Sequence, residues 1–316
     1  YKEDGTIDSF VPNHPNAKEK IKKQLVMDMS EAVYPENPVV PFIRATQDRV
    51  VLEIQRGCIR GCRFCQAGML YRPTREKDVE VLKQYAYKML KSTGHEEISL
   101  SSLSSSDYSQ LKELVNFLID EFKGKGINIS LPSLRIDAFS LDVMERVQDI
   151  KKSSVTFAPE AGSQRMRNVI NKGLTEDDII SGAGQAFEGG WNKVKLYFML
   201  GLPTETDEDV LGIADLARKV YFAWRECTPN RARGVRITVS TSWFVPKPHS
   251  AFQWEAQITR EEYQRRVDLL RDALRHDRSI TYNWHDIQTS YLEAVFSRGD
   301  RRLADVLEHA WRHGAK

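Results

Sequence analysis

The sequence predicts an α/β protein: six short strands alternating with helices, followed by a helical C-terminal extension. Two observations predict it. From Arg49 onward, short runs rich in valine, isoleucine and aromatic residues alternate with longer stretches of helical spacing, over about two hundred residues. From 258 to the end the reading is helical. The length of 316 residues accommodates one large barrel-like domain or two modest ones. Three parts are expected: a linker-like segment 1–45, an alternating domain 46–257 and the extension 258–316.

Residues 1–45 are punctuated by proline ("FVPNHPN", "VYPENPVVPF") around one amphipathic stretch, "AKEKIKKQLVMDMSEAV". Such a composition suits a connecting segment lying on the surface of something larger. The chain opens on Tyr1 rather than Met and reads as mid-protein, so an upstream part is expected. The strand candidates are "RVVLEIQ" (49–55), "EISLSS" (97–102), "INISLPS" (127–133), "SSVTFAP" (153–159), "KVKLYFML" (193–200) and "GVRITVSTS" (234–242). Helices are expected near 77–92, 107–123, 140–148, 175–188 and 206–225. Regular alternation implies right-handed parallel crossovers, hence an α/β barrel or an open sheet. Six strands are two fewer than a closed eight-fold barrel needs. The closing helices are "TREEYQRRVDLLRDALRH", "NWHDIQTSYLEAVFSRG" and "DRRLADVLEHAWRHG".

A net charge of +2 favours no class of partner, and the basic run "RRVDLLRDALRHDR" (265–278) is interleaved with acids, as solvated helix faces are. No apolar run reaches membrane-spanning length and no signal-like segment opens the chain. Three of the four cysteines lie in "IQRGCIRGCRFCQAG" (54–68), spaced CxxxCxxC, with Cys227 far away. That is no disulfide framework; it points to a metal site in a reducing, cytoplasmic compartment. The loop follows the first strand, and the carboxyl ends of strands hold the active sites of parallel α/β proteins. Zinc would need His95 or Cys227 as a distant fourth ligand, whereas a 4Fe-4S cluster on three cysteines keeps one iron open. Alternation along the strands sets Val51, Glu53 and Gln55 against Leu52 and Ile54, and Thr156 and Ala158 against Val155 and Phe157. It sets Lys193, Lys195 and Tyr197 against Val194, Leu196 and Phe198, and Thr238, Ser240 and Ser242 against Ile237, Val239 and Thr241. One face is polar, as a cavity for a polar substrate would be, although Lys195 has Glu53 and Glu160 as alternative structural partners. His309 and His313 stand i,i+4 on a terminal helix, as a metal pair or simply a solvated helix end.

Cys58, Cys62 and Cys65 in "CIRGCRFC", with the aromatic Phe64 before the third cysteine, resemble the signature of radical S-adenosylmethionine (radical SAM) enzymes. The resemblance implies a six-stranded partial (β/α)6 TIM-like barrel. It implies a 4Fe-4S cluster on those cysteines, whose open iron chelates S-adenosylmethionine and whose electron cleaves it to methionine and a 5′-deoxyadenosyl radical. A reductase or flavodoxin-type electron donor follows from the same chemistry. Where the family carries a Gly-Gly-Glu-like element after strand two, this chain has "SLSSSDY", making Ser105 a candidate acceptor, with Ser106 or Asp107 alternatively capping the next helix. After strand three "LPSLRID" offers Ser133 and Arg135, the latter for the methionyl carboxylate. "APEAGSQRMR" resembles the segment in which Glu160 and Ser163 approach the ribose and methionyl ends, Ser163 being equally a helix cap. "LYFMLGLPTETDED" resembles the segment bordering adenine, with Met199 the candidate and Leu200 equally a core residue.

"EAGSQRMRNVINKG" and "GLPTETDED" also resemble methylthiotransferases, which carry three further cysteines for a second cluster that this chain lacks. "RATQDRVVLEIQRGC", "RGCRFCQAGMLYRPTRE", "STSWFVPKPHSAFQWEAQ" (240–257) and "YLEAVFSRGDRRLADVLEHAWRHGAK" resemble a radical SAM subfamily with an N-terminal cobalamin-binding-type domain. That resemblance implies cobalamin-assisted methyl transfer, the cobalamin held upstream, since no DxHxxG motif occurs within the chain. Cobalamin-independent insertion or rearrangement is the alternative. Trp243, Phe244, Phe252 and Trp254 would stack on a base or corrin, or form a lid over the barrel mouth. The basic C-terminal helices leave RNA or a ribosomal target open as substrate. A non-catalytic iron–sulfur or zinc module is the rival from another class.

Overall fold

The computed structural model describes residues 1–43, 45–130, 154–228, 232 and 234–315. The expected helix at 140–148 lies outside these residues. The chain begins without regular structure as far as β1 (Val50–Glu53), and the amphipathic stretch forms no helix. It is nonetheless tied down. Met29 is buried, and the Tyr34 hydroxyl donates to the Val51 carbonyl at 2.6 Å and accepts from the Glu53 amide at 3.2 Å.

β1 is followed by β2 (Gln55–Arg56), α1 (Gln66–Leu70), β3 (Arg75–Glu76), α2 (Val79–Thr93), β4 (Glu97–Ser101), α3 (Leu111–Phe122) and β5 (Asn128–Ser130). β1, β4 and β5 form a parallel sheet in that order, with Val51 opposite Ser99 and Ser99 opposite Ser130. β2 and β3 form a short antiparallel ribbon beside the cysteine loop. α2 is started by Asp78, whose side chain accepts from the Glu80 amide, and stopped by Gly94 in the left-handed conformation. Its Leu82, Ala86 and Met89 pack with Val50, Leu52, Ile98 and Leu100 and with Leu114, Val115 and Leu118 of α3.

The second half comprises β6 (Val155–Glu160), α4 (Gln164–Val169), α5 (Glu176–Glu188), β7 (Lys193–Leu200), α6 (Asp207–Cys227), β8 (Arg236–Trp243), α7 (Arg260–Leu274), β9 (Ile280–Trp284), α8 (Ile287–Arg298) and α9 (Leu303–Arg312). β6, β7, β8 and β9 form a parallel sheet in chain order. Val194, Leu196, Phe198, Ile237 and Val239 meet α5, α6 and α7 on its outer side, each contributing roughly 1.5–3 kcal/mol by burial. The opposite face keeps the polar set Lys195, Tyr197, Thr238 and Ser242 half-buried or exposed, as the alternation requires. This is the partial TIM-like barrel, with one addition. The region from 258 is not wholly helical: α7 is a crossover helix, and β9 extends the sheet by a further parallel strand.

Candidate active site

The cysteine loop leaves the barrel wall at Gly57, whose φ of 97° places a would-be Cβ 2.6 Å from the Tyr71 carbonyl, so only glycine fits. Cys58, Cys62 and Cys65 follow, all partly exposed and in no disulfide. Cys65 Sγ accepts the Gly68 amide at 3.3 Å and caps α1. The loop is fixed from both sides. Arg60 makes a forked pair with Asp107, at 2.5 and 3.1 Å, in the loop after β4. The Arg63 amide donates to the Ile170 carbonyl at 2.9 Å, the Phe252 amide donates to the Arg63 carbonyl at 3.1 Å, and Asn171 Nδ2 donates to the Gly61 carbonyl at 2.8 Å. Gln66 reaches the Pro248 carbonyl. Among the described residues, this loop bridges the two sheets.

Beneath it Ala161, Met166, Ile170, Leu202, Phe244 and Phe252 form a buried apolar cluster, with Phe64 and Met199 packed against it. Phe244 and Phe252 meet edge to face, 6.0 Å apart. Trp243 is buried and stacks on Tyr263, whereas Trp254 is exposed. Glu160 ends β6 with φ 70°, after a register irregularity, a conformation that costs a non-glycine residue about 1–3 kcal/mol and concentrates at functional sites. Its carboxylate meets Lys172 at 3.2 Å, and that ammonium lies 5.9 Å from the Phe64 ring centre. Phe64, Glu160 and Met199 therefore surround one region at the carboxyl ends of the strands.

The other expected residues stand differently. Ser105 is buried and shares a hydrogen bond with Ser102 at 3.0 Å. Asp107 lies in the turn Ser105–Asp107, four residues before α3 begins, and its carboxylate pairs with Arg60. Ser163 caps α4: its hydroxyl accepts from the Met166 amide and donates to Asp209. Ser133 and Arg135 lie outside the described residues. Leu200 is fully buried in the core. Glu53 is engaged by Arg56 and Glu160 by Lys172, so neither takes Lys195, whose ammonium lies 4.5 Å from the Tyr197 ring centre. His309 and His313 lie on an exposed helix end with ring centres 4.1 Å apart, and a His313 ring nitrogen bonds the His309 carbonyl.

Sequence reasoning missed Arg60, Asn171 and Lys172, and did not single out Gln55 on the polar face or Ser104 among its neighbouring serines. Gln55 and Ser104 matter because they are buried while Gln55 Oε1 and Ser104 Oγ have no partner among the described residues; Gln55 Nε2 donates to the Ser104 carbonyl at 2.7 Å. Native proteins leave few such groups unsatisfied, and a polar ligand is one explanation. Asp209 is held down at about 2: burial works against ionisation, but donors on Arg165, Ser163 and Thr206 outweigh it.

Among the described residues no three His, Cys, Asp or Glu side chains are gathered closely enough for one metal ion. The two distant zinc candidates sit elsewhere. His95 precedes β4 beside Asp48, and Cys227 ends α6 against Gly184, both at the opposite ends of the strands from the loop.

The Radical SAM superfamily model matches residues 52–217. The chain belongs to the radical SAM superfamily. Membership brings the 4Fe-4S cluster and S-adenosylmethionine as cofactors. An uncharacterised protein of Methanocaldococcus jannaschii is 32% identical over 297 residues, which are 91% of this chain and 62% of that protein. The threonylcarbamoyladenosine tRNA methylthiotransferase MtaB of Aquifex aeolicus is 23% identical over 57% of this chain and 45% of its own length. This radical SAM chain thus spans less than two thirds of the length of these curated relatives. Among solved structures, Streptococcus suis SuiB bound to its precursor peptide SuiA shares the fold, with a TM-score of 0.50 and 12% identity over 78% of this chain and 51% of that one. Among the described residues no helix is long and apolar enough to cross a membrane.

Proposed function

We propose that this chain is the catalytic barrel of a radical SAM transferase, a methyl transferase acting on a polar substrate held in the barrel lumen. The observation that carries the reading is the convergence of Phe64, Glu160, Lys172 and Met199 beneath a cysteine loop anchored to both sheets. Cys58, Cys62 and Cys65 would hold the cluster. Bound cluster and cofactor supply one-electron reductive cleavage and, through it, hydrogen abstraction from an unactivated carbon. The buried acceptor Gln55 Oε1 and the hydroxyl of Ser104 would receive polar groups of S-adenosylmethionine, while Phe64 and Met199 border its apolar parts. Phe244 and Phe252 exclude water from that region. Ser163, with its hydroxyl already used twice, orients α4 against Asp209.

Group transfer is supported by the name of the Aquifex relative. Cobalamin enters this proposal only through sequence outside the chain, for which the longer relatives have room. A small substrate is favoured over RNA by the charge pattern of the late helices: Arg265 pairs with Asp207 and Glu262, Arg271 with Asp268, Arg302 with Asp300 and Arg312 with Glu308. Those arginines are already neutralised by neighbouring carboxylates, which weakens an electrostatic hold on phosphates there.

The test is anaerobic. Cluster-reconstituted protein, reduced and given S-adenosylmethionine, is expected to form 5′-deoxyadenosine, measured by chromatography, and Cys62→Ala is expected to lose both iron and product. A fully iron-loaded wild type that forms none overturns the reading.

A further inference from the structure

The lumen face of β6 to β9 is a register of polar rows. Thr156, Lys195, Thr238 and Thr281 form one; Tyr197, Ser240 and Asn283 the next; Met199 and Ser242 the next; and Lys193 faces Arg236 at the lower end. No aspartate or glutamate stands in these rows. Among the described residues Lys193, Lys195 and Arg236 take part in no ion pair, and the one contact of the Lys195 ammonium is the Tyr197 ring. Among the described residues, the facing sheet does not compensate them. Its lumen side presents Val51, Ser99, Ser101 and Ser130, and its two carboxylates are already engaged, Glu53 by Arg56 and Glu97 by Arg49.

Lys195, half-buried on the lumen face, is therefore a cation without a carboxylate partner among the described residues, whereas Lys193 and Arg236 are exposed at the lower end. A cleft lined by one sign of charge with apolar walls focuses its field on a ligand of the other sign. The Lys195 ammonium leans up the strand to the level of Tyr197. Met199, which packs against the cluster containing Phe64, is two residues further, a rise of about 7 Å.

We propose that the substrate is a small anion whose carboxylate or phosphate is received by Lys195, with its reacting part about 7 Å further up at the level of Met199. The inference rests on the lumen being the substrate site, as proposed above, and deepens that reading. Lys195 binds and orients; Tyr197 holds its ammonium in place from one side and stays exposed to the ligand on the other.

Calorimetric titration of the cluster-loaded protein with adipate and with inorganic phosphate, at constant ionic strength, tests this. Millimolar binding of at least one anion is expected, weakened at least tenfold in Lys195→Gln and largely retained in Lys195→Arg. Lys219→Gln, which alters an exposed lysine paired with Glu176 on the outer layer, is expected to leave it unchanged. Loss confined to adipate identifies a carboxylate substrate, and loss confined to phosphate a phosphorylated one. No binding by the wild type, or equal binding by wild type and Lys195→Gln, overturns the proposal. The result is independent of 5′-deoxyadenosine formation: a wild type that binds anions at Lys195 yet makes no nucleoside refutes the enzymatic reading alone.

Discussion

Ser104 shows how a single hydroxyl separates folding from function. Its Oγ is buried without a partner among the described residues, so the folded chain bears the cost of desolvating it and gains no bond in return. Ser104→Ala is therefore expected to leave thermal stability unchanged or raise it by up to about 1 kcal/mol. The same substitution is expected to weaken S-adenosylmethionine binding about five- to tenfold, read by equilibrium dialysis of the reconstituted protein. A fall in stability with unaltered binding would mean the hydroxyl is structural. Nothing in the local sequence marks Ser104 out from Ser105 or Ser106. The distinction arises from Gln55, on another strand, which occupies the Ser104 carbonyl and leaves its own oxygen unmet. The three cysteines were legible because their spacing is local. Their anchors, Arg60 to Asp107 and Arg63 to Ile170, join residues far apart in the chain and have no sequence signature.

Among the elements, the turn from β6 into α4 is the most constrained. A Cβ on Gly162 would lie 2.4 Å from the Ile213 amide nitrogen and 2.5 Å from the Asp209 carbonyl of α6, both backbone atoms that cannot rotate away. Gly162→Ala is expected to destabilise by about 2–3 kcal/mol, visible as a lowered melting temperature and reduced iron retention. Most helices declared themselves in sequence. Thr175 with Asp178 and Thr206 with Asp209 form capping boxes, a pattern readable as "TEDD" and "TDED". β9 did not. Its residues Ile280 to Trp284 are half-buried or exposed, as suits the outermost strand of its sheet, so they lack the apolar run that marked the strands before it.

At the scale of the molecule, the buried pair of Glu205 and Arg266 ties the end of β7 to α7, at 2.5 Å, with the Gly201 amide as a second donor to Glu205. Burial pushes the Glu205 carboxyl up to about 7, overcoming those two contacts. A folded value above the unfolded one means the native state holds that proton more tightly, so this group's contribution to stability falls as pH rises from about 4.5 through 7. Denaturation from pH 5 to 8 is expected to show a loss of roughly 2–3 kcal/mol from this source. Glu205→Gln, which retains an oxygen for Gly201, is expected to flatten that slope while lowering stability at high pH, because Arg266 then keeps only Glu262 as a carboxylate partner. The cysteine loop has a consequence on the same scale. Being fastened to both half-barrels, it is also a seam, and ligands that stiffen it close the shell.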